Sequence, residues 1–151
     1  MPSYTGLVPD APPAARRVLI VDDEPSVIDV LMEFFKQFEH GQRYVVEAAS
    51  NGADAYRAFL RQRPDLILLD MNMPGMDGLQ LLKQIRAIDG RVPVMMVTAN
   101  QSTKAAAEAH TTGIFAYVPK PFDFRHLDLL VGLVLPPPKR PGGSPDGARQ
   151  R

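Results

Sequence analysis

The chain has 151 residues, 17 Lys plus Arg against 17 Asp plus Glu, and a formal net charge of zero, which disfavours a nucleic-acid binder acting through bulk positive charge. Its 45% hydrophobic content suffices for a buried core and is too high for a wholly disordered protein. The absence of Cys excludes disulfides, thiolate metal sites and Cys nucleophiles and fits a reducing compartment; with no apolar run near the ~18 residues of a membrane span and no basic-then-apolar leader, a soluble cytoplasmic protein is expected.

Proline marks the edges. Four of the 15 prolines lie before residue 14 and five after residue 135. Residues 1–15 and 136–151 are therefore expected to be disordered tails, the second rich in Pro and Gly. Residues 16–135 form the ordered domain, about 120 residues and ordinary for one unit. Val18-Leu-Ile-Val21 reads as a first strand, ended by Asp22-Asp23-Glu24. A helix follows from Pro25, a residue suited to a first turn, with Val27, Leu31, Phe34 and Phe38 at helical spacing. Tyr44–Ala48 is a second strand. Asn51 caps a second helix that turns Ala55, Tyr56 and Phe59 inward and ends at Pro64. Leu66–Leu69 is a third strand, stopping at Asp70 before the turn-rich loop Met71–Asp77. Leu81, Leu82, Ile85 and Ile88 make the apolar stripe of a third helix, and Val92–Val97 a fourth strand. Ser102–Thr112 is an Ala-rich helix stopped by Gly113, Ile114–Val118 a fifth strand, and Asp123 caps a last helix running to Leu135.

Alternating strands and helices imply a parallel sheet with right-handed crossovers. The first, third and fourth strands are nearly continuous apolar runs, as parallel strands covered on both faces require. In open sheets of this kind ligands bind beyond the carboxyl ends of the strands, near a topological switch point. The chemistry-bearing residues fall there: Asp22 and Asp23 after the first strand, Asp70 after the third, Thr98 after the fourth, and Lys120 after the fifth, between Pro119 and Pro121.

Three carboxylates in one pocket repel, and one lysine does not balance them. A hard divalent cation does, and Mg²⁺ suits carboxylates together with water and phosphate oxygens. No Gly-x-x-x-x-Gly-Lys-Ser/Thr loop is present, so this is not a P-loop site. Aspartate is a competent nucleophile toward phosphorus, and phosphoryl transfer asks little beyond positioning and charge neutralisation. Each residue also has a plainer reading. Asp22 and Asp23 could be an acidic cluster at a helix N-terminus, Asp70 a turn residue, Thr98 a strand-end hydroxyl, Lys120 a solvated lysine and Tyr117 an edge core residue. Their joint placement favours a phosphate-accepting site. His40, His110 and His126 show no ligand spacing and read as surface or rim residues, and Met71, Met73 and Met76 as flexible packing.

From about Val18 to Leu135 the chain resembles the receiver domain of bacterial two-component response regulators, here of the stand-alone, single-domain type. The residues that carry the resemblance are Asp22-Asp23, the loop Asp70-Met-Asn-Met-Pro-Gly-Met-Asp-Gly78, Val97-Thr-Ala-Asn100, Lys120-Pro-Phe122, and Tyr117 three before the lysine. The resemblance implies a flavodoxin-like (βα)5 doubly wound sheet with strand order 2-1-3-4-5. It implies that Asp70 is phosphorylated, that Asp22, Asp23, Asp70 and the carbonyl of Asn72 hold Mg²⁺, and that Lys120 pairs with the phosphoryl group. Thr98 would swing in to hydrogen-bond that group, and Tyr117 would rotate inward as it does. The implied partners are a histidine kinase or phosphotransfer protein and a downstream protein, with no direct nucleic-acid or membrane contact. The implied activity is acceptance of one phosphoryl group followed by slow self-dephosphorylation, with Asn72 and Asn100 tuning water access, and not turnover as an enzyme. A receiver-like module that takes no phosphate is disfavoured by the complete acidic set. An aspartate-nucleophile phosphatase has Asp-x-Asp-x-Thr after its first strand, where this chain has Asp22-Asp-Glu-Pro-Ser26. Two departures from the family pattern are a longer connection at Glu39–Arg43 and the lack of an output domain before the tail.

The last helix carries no charge for seven residues after Asp128. Helical spacing places Leu127, Leu130, Val131 and Val134 against the sheet and leaves Leu129 and Leu133 pointing away. An exposed apolar patch marks an interaction site, extended by Ala105, Ala106 and Ala109 of the preceding helix, and resemblance points to the same fourth-helix, fifth-strand, fifth-helix face. A homodimer or a docked partner helix is expected there, strengthened by phosphorylation. The alternative is that the proline-rich tail covers the patch.

Overall fold

The computed structural model describes residues 15–38, 42–99 and 102–137. Strand β1 (Arg16–Val21) pairs in parallel with β2 (Tyr44–Ala49) and β3 (Leu66–Leu69). Next come β4 (Val94–Thr98) and β5 (Ala116–Pro119), also parallel, so the sheet order is 2-1-3-4-5. Between the strands run α1 (Pro25–Gln37), α2 (Gly52–Arg61), α3 (Gly78–Ile88) and α4 (Thr103–Thr112), and α5 (Phe124–Val134) follows the last strand. This is the doubly wound, flavodoxin-like arrangement anticipated above. Its order reverses between β1 and β3, which is where such sheets open a crevice.

Side chains alternate across a strand, and that alternation divides the core into two layers. Leu19, Val21, Ile67, Leu69, Val94 and Met96 face one way, packed with Ala55 and Phe59 of α2, Leu81, Leu82 and Ile85 of α3 and Ala109 of α4. Val18, Ile20, Leu66, Leu68, Met95 and Val97 face the other way, against Leu31, Phe34 and Phe35 of α1 and Leu127 and Val131 of α5. Phe34 is wholly buried, edge-on to Phe35 and to Phe124 and stacked on Phe38. With β1, β3 and β4 covered on both faces, their continuous apolar runs have a direct cause.

The amino-terminal edge of the sheet is tied by backbone hydrogen bonding. Asp65 accepts from the Arg17 amide at 2.7 Å and donates its own amide to the Arg17 carbonyl. Asp89, the C-cap of α3, accepts from the amides of Arg91 (2.8 Å) and Val92 (3.1 Å). That turn explains why β4 begins at Val94 and not at Val92: Val92 belongs to the turn, and Pro93 has no N–H for the ladder. Similarly β5 begins at Ala116 and not Ile114, because α4 ends on Gly113 at φ +120°, a conformation glycine adopts freely. Gln42, buried, donates to the Leu135 carbonyl at 2.8 Å and accepts from Arg16, fixing the end of α5 to the start of β1. Residues 39–41 of the long connection, and most of both expected tails, lie outside the described residues.

Candidate functional site

The register of the sheet assembles the site. Val21 pairs with Leu69 and Thr98 with Pro119. The residues one step on, Asp22, Asp70 and Lys120, therefore emerge side by side at the carboxyl edge. Asp22 and Asp70 are buried, at 2% and 4% exposure, and Asp23 is exposed. One carboxylate oxygen from each of the three lies within 4.8 Å of the others.

Backbone fixes the pocket. The Asp70 amide donates to the Val21 carbonyl and the Asp22 amide to the Ala49 carbonyl, so the aspartates extend the hydrogen bonding of the sheet. One Asp22 oxygen accepts from the Glu24 amide at 2.9 Å, and one Asp70 oxygen from the Asn72 amide at 3.3 Å. Asp77 and Gln80 form a reciprocal capping box that starts α3, and the Gly78 amide donates to the Met71 carbonyl. A Cβ on Gly78 would meet the Asp70 carbonyl oxygen at 2.2 Å and the Met71 Cα at 2.7 Å. Only glycine lets α3 begin directly against the Asp70 backbone. Met71 and Met73 are buried, and Met76 rests on Gly52 of α2, so the loop methionines pack the core as expected.

Lys120 reaches into this pocket. Its Nζ donates to Asp22 Oδ2 at 2.8 Å and to Glu24 Oε1 at 3.3 Å, and lies 3.5 Å from Asp70 Oδ2. Its own amide donates to the Thr98 carbonyl at 2.9 Å, and its peptide to Pro121 is cis. Burial pushes the Asp22 carboxyl up, and the Asp70 charge adds to this; the Lys120 and Glu24 hydrogen bonds offset only part of it. Burial acts to lower the Lys120 ammonium, but the Asp22 hydrogen bond and the Asp70 and Asp22 charges outweigh it and hold the ammonium above the usual lysine range. The site is thus rich in anionic oxygen and short of positive charge. That is the donor set a hard divalent cation requires, and Asp22, Asp23 and Asp70 fit Mg²⁺ on chemistry alone.

Thr98 is fully buried at the end of β4, and Tyr117 is half-buried on β5. Burial raises the Tyr117 phenol, with the Asp70 charge second, and its ring lies 6.4 Å from that of His110 on α4. Asp22, Asp23, Asp70, Asn72, Thr98 and Lys120 therefore lie at one edge, Tyr117 stands within β5 and Leu129 and Leu133 on α5, while Asn100 lies outside the described residues. Neither aspartate is the N-cap of α1, which is Glu24, and Asp22 hydrogen-bonds Lys120.

The family model described as response regulator receiver domain matches residues 18–131. This chain belongs to that family. It is 41% identical over 118 residues to the regulatory protein AtoC of Escherichia coli K12, covering 78% of this chain and 25% of that protein. It spans about a quarter of the first curated relatives it matches. It is 35% identical over 121 residues to sporulation initiation phosphotransferase F of Bacillus subtilis, covering 80% of this chain and 94% of that one. Among solved structures, the receiver domain of sensor histidine kinase PA1611 from Pseudomonas aeruginosa matches with TM-score 0.69 and 30% identity, covering 80% of this chain and 98% of that one; it carries a magnesium ion coordinated in its active-site cleft.

Two contacts in this receiver domain were not foreseen from its sequence. One is the Glu24–Lys120 pair, and the other is the close approach that demands Gly78. The signals present were the third acid of Asp22-Asp23-Glu24 and a glycine directly after a capping residue. Ala109 does not extend the α5 patch, because it is fully buried against the sheet, while Leu129 and Leu133 are 60% and 63% exposed as anticipated. His110 and His126 are exposed as read, and His40 lies outside the described residues. No helix among the described residues is long and apolar enough to cross a membrane.

Proposed function

We propose that Asp70 accepts a phosphoryl group from a phosphohistidine on a partner kinase or phosphotransfer protein, making the chain a phosphorylation-controlled signalling receiver of the cytoplasm. The observation that carries this reading is Asp70 itself, buried within 4.8 Å of two further carboxylates and 3.5 Å from a lysine ammonium. One Asp70 oxygen attacks phosphorus, the bond from phosphorus to the histidine nitrogen breaks, and that nitrogen keeps the electron pair. Mg²⁺ held by Asp22, Asp23, Asp70 and the Asn72 carbonyl would supply charge neutralisation to the phosphoryl oxygens; the magnesium in the cleft of the similar Pseudomonas receiver supports this assignment. Lys120 supplies a second positive charge and Thr98 a hydroxyl donor. Phosphorylation adds nearly two negative charges and three acceptors, which draws Thr98 in and admits the Tyr117 ring behind it. The domain then changes its contacts with a downstream protein or a second copy, through Leu129 and Leu133 of α5. An apolar groove of about 490 Å³, lined by Val27, Val30, Ala99, Pro121, Phe122 and Phe124, opens beside Lys120 and gives the phosphodonor protein a surface to rest on.

Acetyl phosphate with Mg²⁺ should add one phosphoryl mass to the intact protein. Asp70→Asn, isosteric and unable to attack, should take none while melting like the wild type. A fully labelled Asn variant would overturn the acceptor assignment. Continuous turnover of a phosphomonoester would instead favour the phosphatase reading.

A further inference from the structure

We infer that Glu24 is a positioning residue that holds the Lys120 ammonium away from Asp70 and so restrains phosphorylation. The inference rests on Asp70 as phosphoryl acceptor. Lys120 lies unevenly among its three acids. Its Nζ hydrogen-bonds Asp22 at 2.8 Å and Glu24 at 3.3 Å, both on the β1–α1 side, and stands farthest from Asp70 at 3.5 Å. A phosphoryl group on Asp70 would draw the ammonium toward Asp70 and away from that side.

Glu24 is built for this restraint. Its amide donates to Asp22 and its carbonyl accepts from Val27 and Ile28, so the backbone is fixed at the head of α1. Its carboxylate makes no capping hydrogen bond, although it occupies the N-cap. The side chain is 59% exposed, against 12% for Lys120 and 2% for Asp22. Of the ammonium's two hydrogen-bonded acids, Glu24 is thus the one water can solvate once the contact breaks, and a partly exposed pair of this kind is weak. It is also removable while Asp22 and Asp70 remain beside the ammonium.

In the transfer from acetyl phosphate, an Asp70 oxygen bonds to phosphorus, the bond from phosphorus to the acetyl oxygen breaks, and acetate leaves with the electron pair. Charge grows on oxygens near Asp70, where Lys120 is needed. The full chain and its Glu24→Gln, Lys120→Met and double variants decide the matter through two measurements. The first is the lysine ammonium proton–nitrogen spectrum without metal, in which the cross-peak lost in Lys120→Met should move in Glu24→Gln. The second is the initial rate of labelling by acetyl phosphate with Mg²⁺, followed by intact mass. Glu24→Gln should label about two- to fivefold faster, the span expected when a partly exposed ion pair is released. It should change nothing in the Lys120→Met background. A mere loss of repulsion toward the anionic donor would speed labelling in both backgrounds and overturn the proposal. An unmoved ammonium signal, or an unchanged or slower rate, would overturn it as well. Absence of labelling in the wild type would instead overturn the acceptor assignment, and the ammonium spectrum would still decide the Glu24 contact.

Discussion

The two edges of the sheet use the same residue type for opposite ends. At the amino edge, Asp65 and Asp89 sit where backbone amides point at them, and each is satisfied by main chain. The amides of Arg91 and Val92 hold the Asp89 carboxyl below the usual range against the opposing effect of burial, helped by Arg63 and Arg86. At the carboxyl edge, Asp22 is buried beside another acid, and burial pushes it up. An aspartate rich in donors steadies the fold, whereas one crowded with acids stores unfavourable charge that a cation or an incoming group can relieve. The difference separates a carboxylate that ties main chain from one whose charge a cation could relieve.

The comparison can be broken from either side. The largest effect is expected at the carboxyl edge, from Gly78→Ala. Its Cβ would stand 2.2 Å from the Asp70 carbonyl, so α3 must shift, at a cost of about 3 kcal/mol or more. Chemical denaturation should show that loss, and any surviving folded protein should label poorly. At the amino edge, Asp89→Ala should cost about 1–2 kcal/mol by orphaning the amides of Arg91 and Val92. The pH dependence follows in sign. Because the folded Asp89 carboxyl is depressed, its contribution is present above its unfolded value and lost as pH falls through the folded value. Acid melting curves of wild type and variant should therefore converge at low pH and separate toward neutrality.

Asp22→Asn should behave in the opposite way. The folded Asp22 carboxyl is raised, so its protonated form favours folding and that contribution is lost as pH rises through the folded value. At neutral pH and without metal, the variant should melt no lower than the wild type, with a gain of at most about 1 kcal/mol. The wild type should gain melting temperature on adding Mg²⁺ and the variant much less. A variant that loses stability without metal as Asp89→Ala does would erase the distinction between the edges. The smallest stability effect belongs to Leu129→Glu with Leu133→Glu. Both positions are exposed, so the fold should change by no more than about 0.5 kcal/mol. Sedimentation should show a monomer for the labelled variant and self-association for the labelled wild type.

Much of this was legible in one dimension. Val18–Val21 and Leu66–Leu69 are apolar on both faces because α-helices cover both, and a strand of that kind ends where the first acid appears, at Asp22 and Asp70. Strand starts were less legible. Val92 and Ile114 carry strand-like side chains, yet the Asp89 turn and the Gly113 cap claim those positions. Ala109 reads as surface on an alanine-rich helix, and only the approach of α4 to the sheet buries it.

Taken alone, the sequence determined the kinds of element, their order, and the acids, hydroxyl and lysine that end the strands. Those depend on local periodicity, which is written in neighbouring residues. Tertiary structure decided what pairs with what: Lys120 with Asp22 across a separation of 98 residues, and with Glu24 across 96. It also decided that Gly78 is obligatory and that the Asp22 and Asp89 carboxyls are shifted in opposite directions from their usual range. Distances and desolvation arise only when separate segments are brought together, and no local pattern encodes them.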